Sequence, residues 1–190
     1  MRKIILMIIL AFILSGAGFA QTYYLNGYVG VGYARFLTDM ALPGLNQNGF
    51  NSKVRLMWQP EHRLRIGLES GYHFLYHYDS GTVATDFGST DAKSSLTAIP
   101  IFFVAAMEIM PQIEILGGIG PTILHTYFKS FGYETESKQM STSYFVAGRY
   151  EYPLNESVSI GGELNFYRIN KIEDSTLSLQ FVLSYRLLSW

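Results

Sequence analysis

The chain of 190 residues contains no cysteine, so disulfide staples, thiolate metal ligands and cysteine nucleophiles are all excluded. Charge is sparse: Asp, Glu, Lys and Arg make up 15% of the sequence, against roughly 25% in an average soluble domain. It is also balanced, with 14 Lys and Arg against 15 Asp and Glu, and that balance gives no reason to expect nucleic acid as a partner. Beyond the first twenty residues no apolar run reaches the about 18 residues of a membrane-spanning helix. Any later contact with a bilayer core would therefore need a closed barrel, because only helices and closed barrels satisfy every backbone hydrogen bond in lipid. In place of these features stand 18 Gly, 14 Tyr and 13 Phe, a composition suited to strands, tight turns and membrane interfaces.

The first residues read as a secretory signal peptide. Met1-Arg2-Lys3 is followed by the apolar run IILMIILAFIL and by Ser15-Gly16-Ala17-Gly18-Phe19-Ala20, which supplies a charged start, an apolar centre and a small-residue cleavage site. Cleavage after Ala20 is expected, leaving residues 21–190 as one domain without a linker.

The strongest periodicity lies in Arg63 to Tyr78, RLRIGLESGYHFLYHY. Even positions carry Leu64, Ile66, Leu68, Tyr72, Phe74 and Tyr76; odd positions carry Arg65, Gly67, Glu69, Gly71, His73 and His77. Alternation with period two is a strand with one greasy and one polar face. The same sorting recurs in segments beginning at Tyr23, Phe50, Ile113, Ser143, Ser157 and Thr176, while Ser95 to Met107 is apolar on both parities and is not oriented by its pattern. Arg35 falls on the apolar parity of the first strand, which requires either a bulge or a guanidinium reaching for the headgroups. Eight strands result. Their connections alternate between polar loops (38–49, 79–93, 129–142, and a moderate 170–175) and turns of four or five residues (59–62, 108–112, 153–156). Alternating short and long connections around an even strand number predict an all-β, eight-stranded antiparallel up-and-down transmembrane β-barrel.

The chain resembles the small outer-membrane β-barrel proteins of the OmpA/OmpX type and the porin-like outer membrane β-barrel domain. The resemblance rests on Leu96-Thr97-Ala98-Ile99-Pro100-Ile101, Gly117-Gly118-Ile119-Gly120-Pro121, Val158 to Tyr167 and Ser184-Tyr185-Arg186-Leu187, and covers the mature chain. It implies a Gram-negative outer membrane, a monomer surrounded by outer-membrane lipids, and a terminal aromatic signal read by the barrel-assembly machinery. Trp190 is terminal but shares the parity of Arg186, so either Leu187 serves instead or a bulge at Leu188-Ser189 restores the register.

The inward parity gathers Lys53, Arg55, Arg65, Glu69, Glu114, Arg149, Glu151, Glu163 and Arg186, charges that must be paired or hydrated. Eight strands leave an interior just wide enough for side chains, so these residues are expected to fill the lumen as a network. A narrow pore is the competing use. Aromatics on the outward parity, Trp58, Tyr72, Phe74, Tyr76, Tyr144, Tyr150, Tyr152 and Phe166, are expected at the lipid interfaces. No cofactor or metal is expected: His73 and His77 would stand about 13 Å apart along one strand, and Asp79, Asp86 and Asp91 fit no calcium-loop spacing. His125 offers no recognisable serine, histidine and acid arrangement, so an enzyme acting on outer-leaflet lipid is disfavoured. A soluble lipocalin-like barrel would carry its apolar face inside, the reverse of the sorting seen here.

Overall fold

A computed structural model describes residues 23–38, 45–61, 63–85, 88–130, 133–172 and 174–189. The proposed leader, Pro43-Gly44, His62, Asp86 and Trp190 lie outside these residues, as does the side chain of Asp91. The elements are β1 (Tyr24–Leu37), β2 (Leu45–Asn46), β3 (Asn48–Gln59), β4 (Leu64–Thr85), β5 (Gly88–Met110), β6 (Ile113–Ser130), β7 (Tyr133–Pro153), β8 (Val158–Ile169) and β9 (Ser175–Ser189). Eight of them form a closed antiparallel ring in which each long strand pairs with its sequence neighbours and β9 returns to β1. The two residues of β2 add only a short ladder on β4, Leu45 opposite Tyr78 and Asn46 opposite His77.

Strand pairing fixes the shape. The ladder row that starts at Gly27 passes Leu56, Leu68, Phe103, Ile119, Tyr144, Arg168 and Ser175 and meets β1 again at Leu37, ten residues further along. A stagger of ten residues over eight strands tilts each strand by roughly 40° from the barrel axis. Such a barrel has no free edge and buries every ladder hydrogen bond in the wall, as a lipid environment requires.

The two parities separate as their chemistry demands. Leu68 is 61% exposed and Leu179 63%, among a belt of outward apolar side chains that includes Val29, Val54, Phe103, Ile119 and Phe181. Inward positions are buried, including Tyr28, Met57, Phe102, Leu116, Phe145 and Tyr167. On β5, whose pattern is apolar on both parities, the even residues Phe102, Val104 and Ala106 face in and Ile101, Phe103 and Met107 face out. The neighbouring strands decide this, because ring closure forces each β5 residue onto the face of its ladder partners. Arg35 is exposed in a continuous register with Asn48 and Leu177, so no bulge rescues it.

Three sequence expectations are corrected. Residues 79–93 and 129–142 form projecting hairpins rather than loops: β4 and β5 pair from Asp79 opposite Lys93 to Thr85 opposite Gly88, and β6 and β7 pair out to Ser130 opposite Tyr133. Beyond the membrane both faces meet water, so pairing continues without an apolar alternation to reveal it. The second correction concerns Tyr76. Leu75 faces inward on the parity of His73, and a bulge between Phe74 and Tyr76 carries Tyr76 to the same side. Its ring lies 5.7 Å from that of buried Phe36, so Tyr76 packs on the core instead of the lipid interface. The same bulge places His77 opposite Ser95, off the face of His73. Third, the register shift near the C-terminus falls at Leu187: Asn26 pairs with Arg186 and Leu25 with Leu188, earlier than the Leu188-Ser189 position expected.

Candidate functional site in the barrel lumen

Eight charged side chains from β3, β4, β6, β7 and β8 meet inside the barrel, in the half nearer the short turns. The deeper group centres on Glu163. Arg55 grips it with Nη1 to Oε2 and Nη2 to Oε1, both 3.0 Å. Lys53 donates to the same carboxylate, and the Arg55 Nε donates to Glu69 Oε2 at 2.5 Å. Toward the short turns, Arg149 and Arg65 both engage Glu114, and Glu151 Oε2 stands 3.4 Å from Arg149 and 3.7 Å from Arg65. Four cations thus meet four carboxylates, so the layer is neutral, which is what makes its burial tolerable.

Residues without charge complete the arrangement. The Tyr28 hydroxyl accepts from Arg65 Nη1 at 3.1 Å, and its ring lies 4.3 Å beneath the Arg149 guanidinium. Gln59 accepts from Arg65 Nε at 3.3 Å, and Ser184 donates to Glu151 at 2.5 Å. Gly30 makes room for Lys53, whose Cε would stand 2.9 Å from a Cβ at that position. Tyr28 is the member that sequence reasoning missed. Its signal was available, since it is an aromatic on the inward parity of β1 directly before Gly30 and Gly32 of the same face.

Arg186 is a further correction. It is exposed, with its guanidinium 4.3 Å over the Tyr24 ring; it keeps the inward register opposite Asn26, but that position already lies at the barrel mouth rather than in the packed lumen. There it lines a vestibule of about 650 Å³ together with Tyr24, Asn26, Gln59, Arg63 and Glu151. Farther from the short turns, above the deeper charge group, stands an aromatic layer. Phe102 packs 5.1 Å from Phe145 and 5.7 Å from Tyr167 (centroid distances), and the Tyr167 hydroxyl bonds Thr122 at 3.0 Å. His73 is buried 5.1 Å from the Tyr167 ring. Phe36, Leu75, Leu96, Leu124 and Ile169 form the apolar layer beyond.

The remaining sequence candidates are separate from this assembly. Trp58, Tyr72, Tyr144, Tyr150, Tyr152 and Phe166 are exposed on the outward face, and Phe74 is half-buried there. His125 Nε2 stands 3.4 Å from Glu136 Oε2 on the β6–β7 hairpin. Asp79 pairs with Lys93 at 3.2 Å and accepts from the Gly81 backbone N–H at 3.0 Å. Among the described residues no cluster of three or more His, Asp or Glu is arranged to hold a metal.

An outward apolar belt around a polar, ion-paired interior is the inverse of a soluble barrel, and sequence comparison agrees with it. The family described as "Outer membrane protein beta-barrel domain" matches residues 6–186. The chain belongs to this family. As an outer membrane β-barrel domain it is an integral outer-membrane protein of the Gram-negative type, seated in lipid. Solved structures share its fold at low identity. Neisserial surface protein A is 13% identical with a TM-score of 0.57, the match covering 88% of this chain and 99% of that one. Ail, the attachment invasion locus protein of Yersinia pestis, is 16% identical with a TM-score of 0.51, over 85% of this chain and 98% of its own. Ail in complex with the heparin analogue sucrose octasulfate gives 15% identity and a TM-score of 0.52, over 86% and 99%. No curated protein sequence matches the chain.

Proposed function

We propose that this protein is a monomeric, non-enzymatic outer-membrane barrel with a structural and interaction role, its lumen closed by a plug of ion pairs and its contacts with partners made by the projecting hairpins. The supporting observation is the neutral eight-residue charge layer, in which Glu163 engages both Lys53 and Arg55, lying beneath the Phe102, Phe145 and Tyr167 layer. Ion-paired side chains and the aromatic layer above them fill the narrow interior at these levels, which supports a lumen closed to solutes. In this reading residues 1–20 are a leader removed after Ala20, and the barrel-assembly machinery recognises the C-terminal strand. Planar-bilayer recording of the purified chain tests the plug: no discrete openings are expected, and stable unitary conductance would defeat it. A narrow channel is the second reading, favoured by the 650 Å³ vestibule at the short-turn mouth.

A further inference from the structure

The outward belt carries two cations that its apolar parity does not call for. Arg35 on β1 and Arg168 on β8 are both exposed, and neither has a carboxylate within ion-pair distance among the described residues. They belong to one sector. In the ladder row, Arg168 is followed by Ser175 of β9 and then by Leu37 of β1, and Arg35 lies two residues before Leu37. The row climbs about 3 Å per strand in a barrel of this tilt, and a strand rises about 2.4 Å per residue along the axis. Two strands up and two residues down nearly cancel, so Arg35 and Arg168 stand at the same height, their Cα atoms about 12 Å apart with Leu177 between them.

That height is the upper boundary of the apolar belt. Directly below lie exposed Tyr33, Phe166 and Leu179. Beyond it, away from the short turns, is exposed Lys171 in the β8–β9 turn. Elsewhere around the ring the outward residues at this level are Phe50, Phe74, Ile99, Pro121 and Thr142, all uncharged. The cations are thus confined to one side of the barrel, at the depth where the headgroups of the outer leaflet meet their acyl chains. A guanidinium there, with no carboxylate paired to it among the described residues, is matched by a phosphate oxygen pair that it can bind as a fork. Snorkelling to water alone explains neither why both cations share one height nor why the other strands lack them.

We propose that Arg35 and Arg168 clamp the phosphate groups of a phosphorylated outer-leaflet glycolipid, whose acyl chains lie along the Tyr33, Phe166, Leu177 and Leu179 stripe. The site is distinct from the lumen, and its failure would leave the plug reading untouched. Native mass spectrometry of the detergent-solubilised full chain, titrated with diphosphorylated lipid A or with its enzymatically dephosphorylated form, tests it. The wild type is expected to retain the diphosphorylated lipid at least tenfold better. R35Q/R168Q is expected to abolish that preference, R35K/R168K to keep part of it by preserving charge without the fork, and Arg63→Gln at the opposite mouth to leave it intact. Heat-modifiable gel mobility establishes that each variant is folded; should the Gln pair fail to fold, the lysine pair and the phosphate dependence of the wild type still decide. Equal retention of the two lipids by the wild type, or a preference unchanged in R35Q/R168Q, would overturn the proposal. So would loss of sucrose octasulfate binding in R35Q/R168Q without loss of lipid A, which would assign the pair to a soluble polyanion.

Discussion

Arg55 on β3 and Glu163 on β8 meet across the lumen as a two-pronged pair, both contacts 3.0 Å, although 108 residues separate them in sequence. Glu163 is at once the acceptor for Lys53, so one anion serves two fully buried cations. Removing it by Glu163→Ala would leave Lys53 and Arg55 facing each other with only Glu69 to balance them. Loss of one partner from a buried ionic cluster costs about 3–5 kcal/mol. Urea unfolding in lipid vesicles, followed by heat-modifiable mobility, should show a loss of that order, and Lys53→Met with Glu163→Gln, which removes one charge of each sign and keeps the layer neutral, should cost less.

The lipid face makes a second prediction. Leu68 is 61% exposed on the outer wall, and Leu68→Arg near mid-membrane should cost about 2–4 kcal/mol and reduce the yield of inserted barrel, whereas Leu68→Phe should insert normally. Gly67 cannot serve as the inward control, because a Cβ there would collide with the Leu56 carbonyl oxygen. Normal insertion of the arginine variant would reverse the assignment of the two faces.

Gly118 holds the space into which the Phe145 ring projects, and any Cβ at that position would overlap the ring. Gly118→Leu should therefore force Phe145 away from Phe102 and destabilise the barrel by about 1–3 kcal/mol. A double variant, Gly118→Leu with Phe145→Ala, should recover part of the loss; additive losses in the unfolding titration would count against this packing relationship.

On the projecting β6–β7 hairpin, Lys129 donates to Glu134 at 2.6 Å. This hydrogen bond, together with the charge of Lys129 and a bond from Tyr127, holds the Glu134 carboxyl below its ordinary value. A carboxylate whose folded pKa is depressed stabilises the hairpin above its unfolded pKa, about 4.3 for Glu, and the contribution is lost as pH falls through the lower folded value. Amide protection at residues 133–136, measured relative to the intrinsic exchange rate at each pH, should accordingly fall on acidification while residues 143–149 in the membrane wall keep theirs. An equal fall in protection in both segments would mean that the barrel itself, not the ion pair, responds.

Much of the architecture was legible in the residues because parity is a local property. The alternation in Arg63 to Phe74 reports which side of a strand meets lipid without reference to any other strand, and the spacing of short turns orders the strands. Legibility failed where two environments become alike or where one residue shifts the register. The hairpin extensions at 79–85 and 133–142 have water on both faces, so no apolar period marked them as strands. The bulge at Leu75 reversed the parity that had placed Tyr76 against lipid, and Arg186, though on the inward parity opposite Asn26, lies at the barrel mouth, a depth that parity does not report.

The sequence by itself determined an eight-stranded barrel with an apolar exterior, a polar interior and a direction through the membrane, because each follows from side-chain alternation and connection length. Only the tertiary structure decided who meets whom. That Glu163 serves Lys53 and Arg55, that Tyr28 supports Arg65 and Arg149, and that Arg35 stands level with Arg168 all depend on the ten-residue stagger of the closed ring. A stagger is a property of all eight pairings taken together, and no single strand carries it.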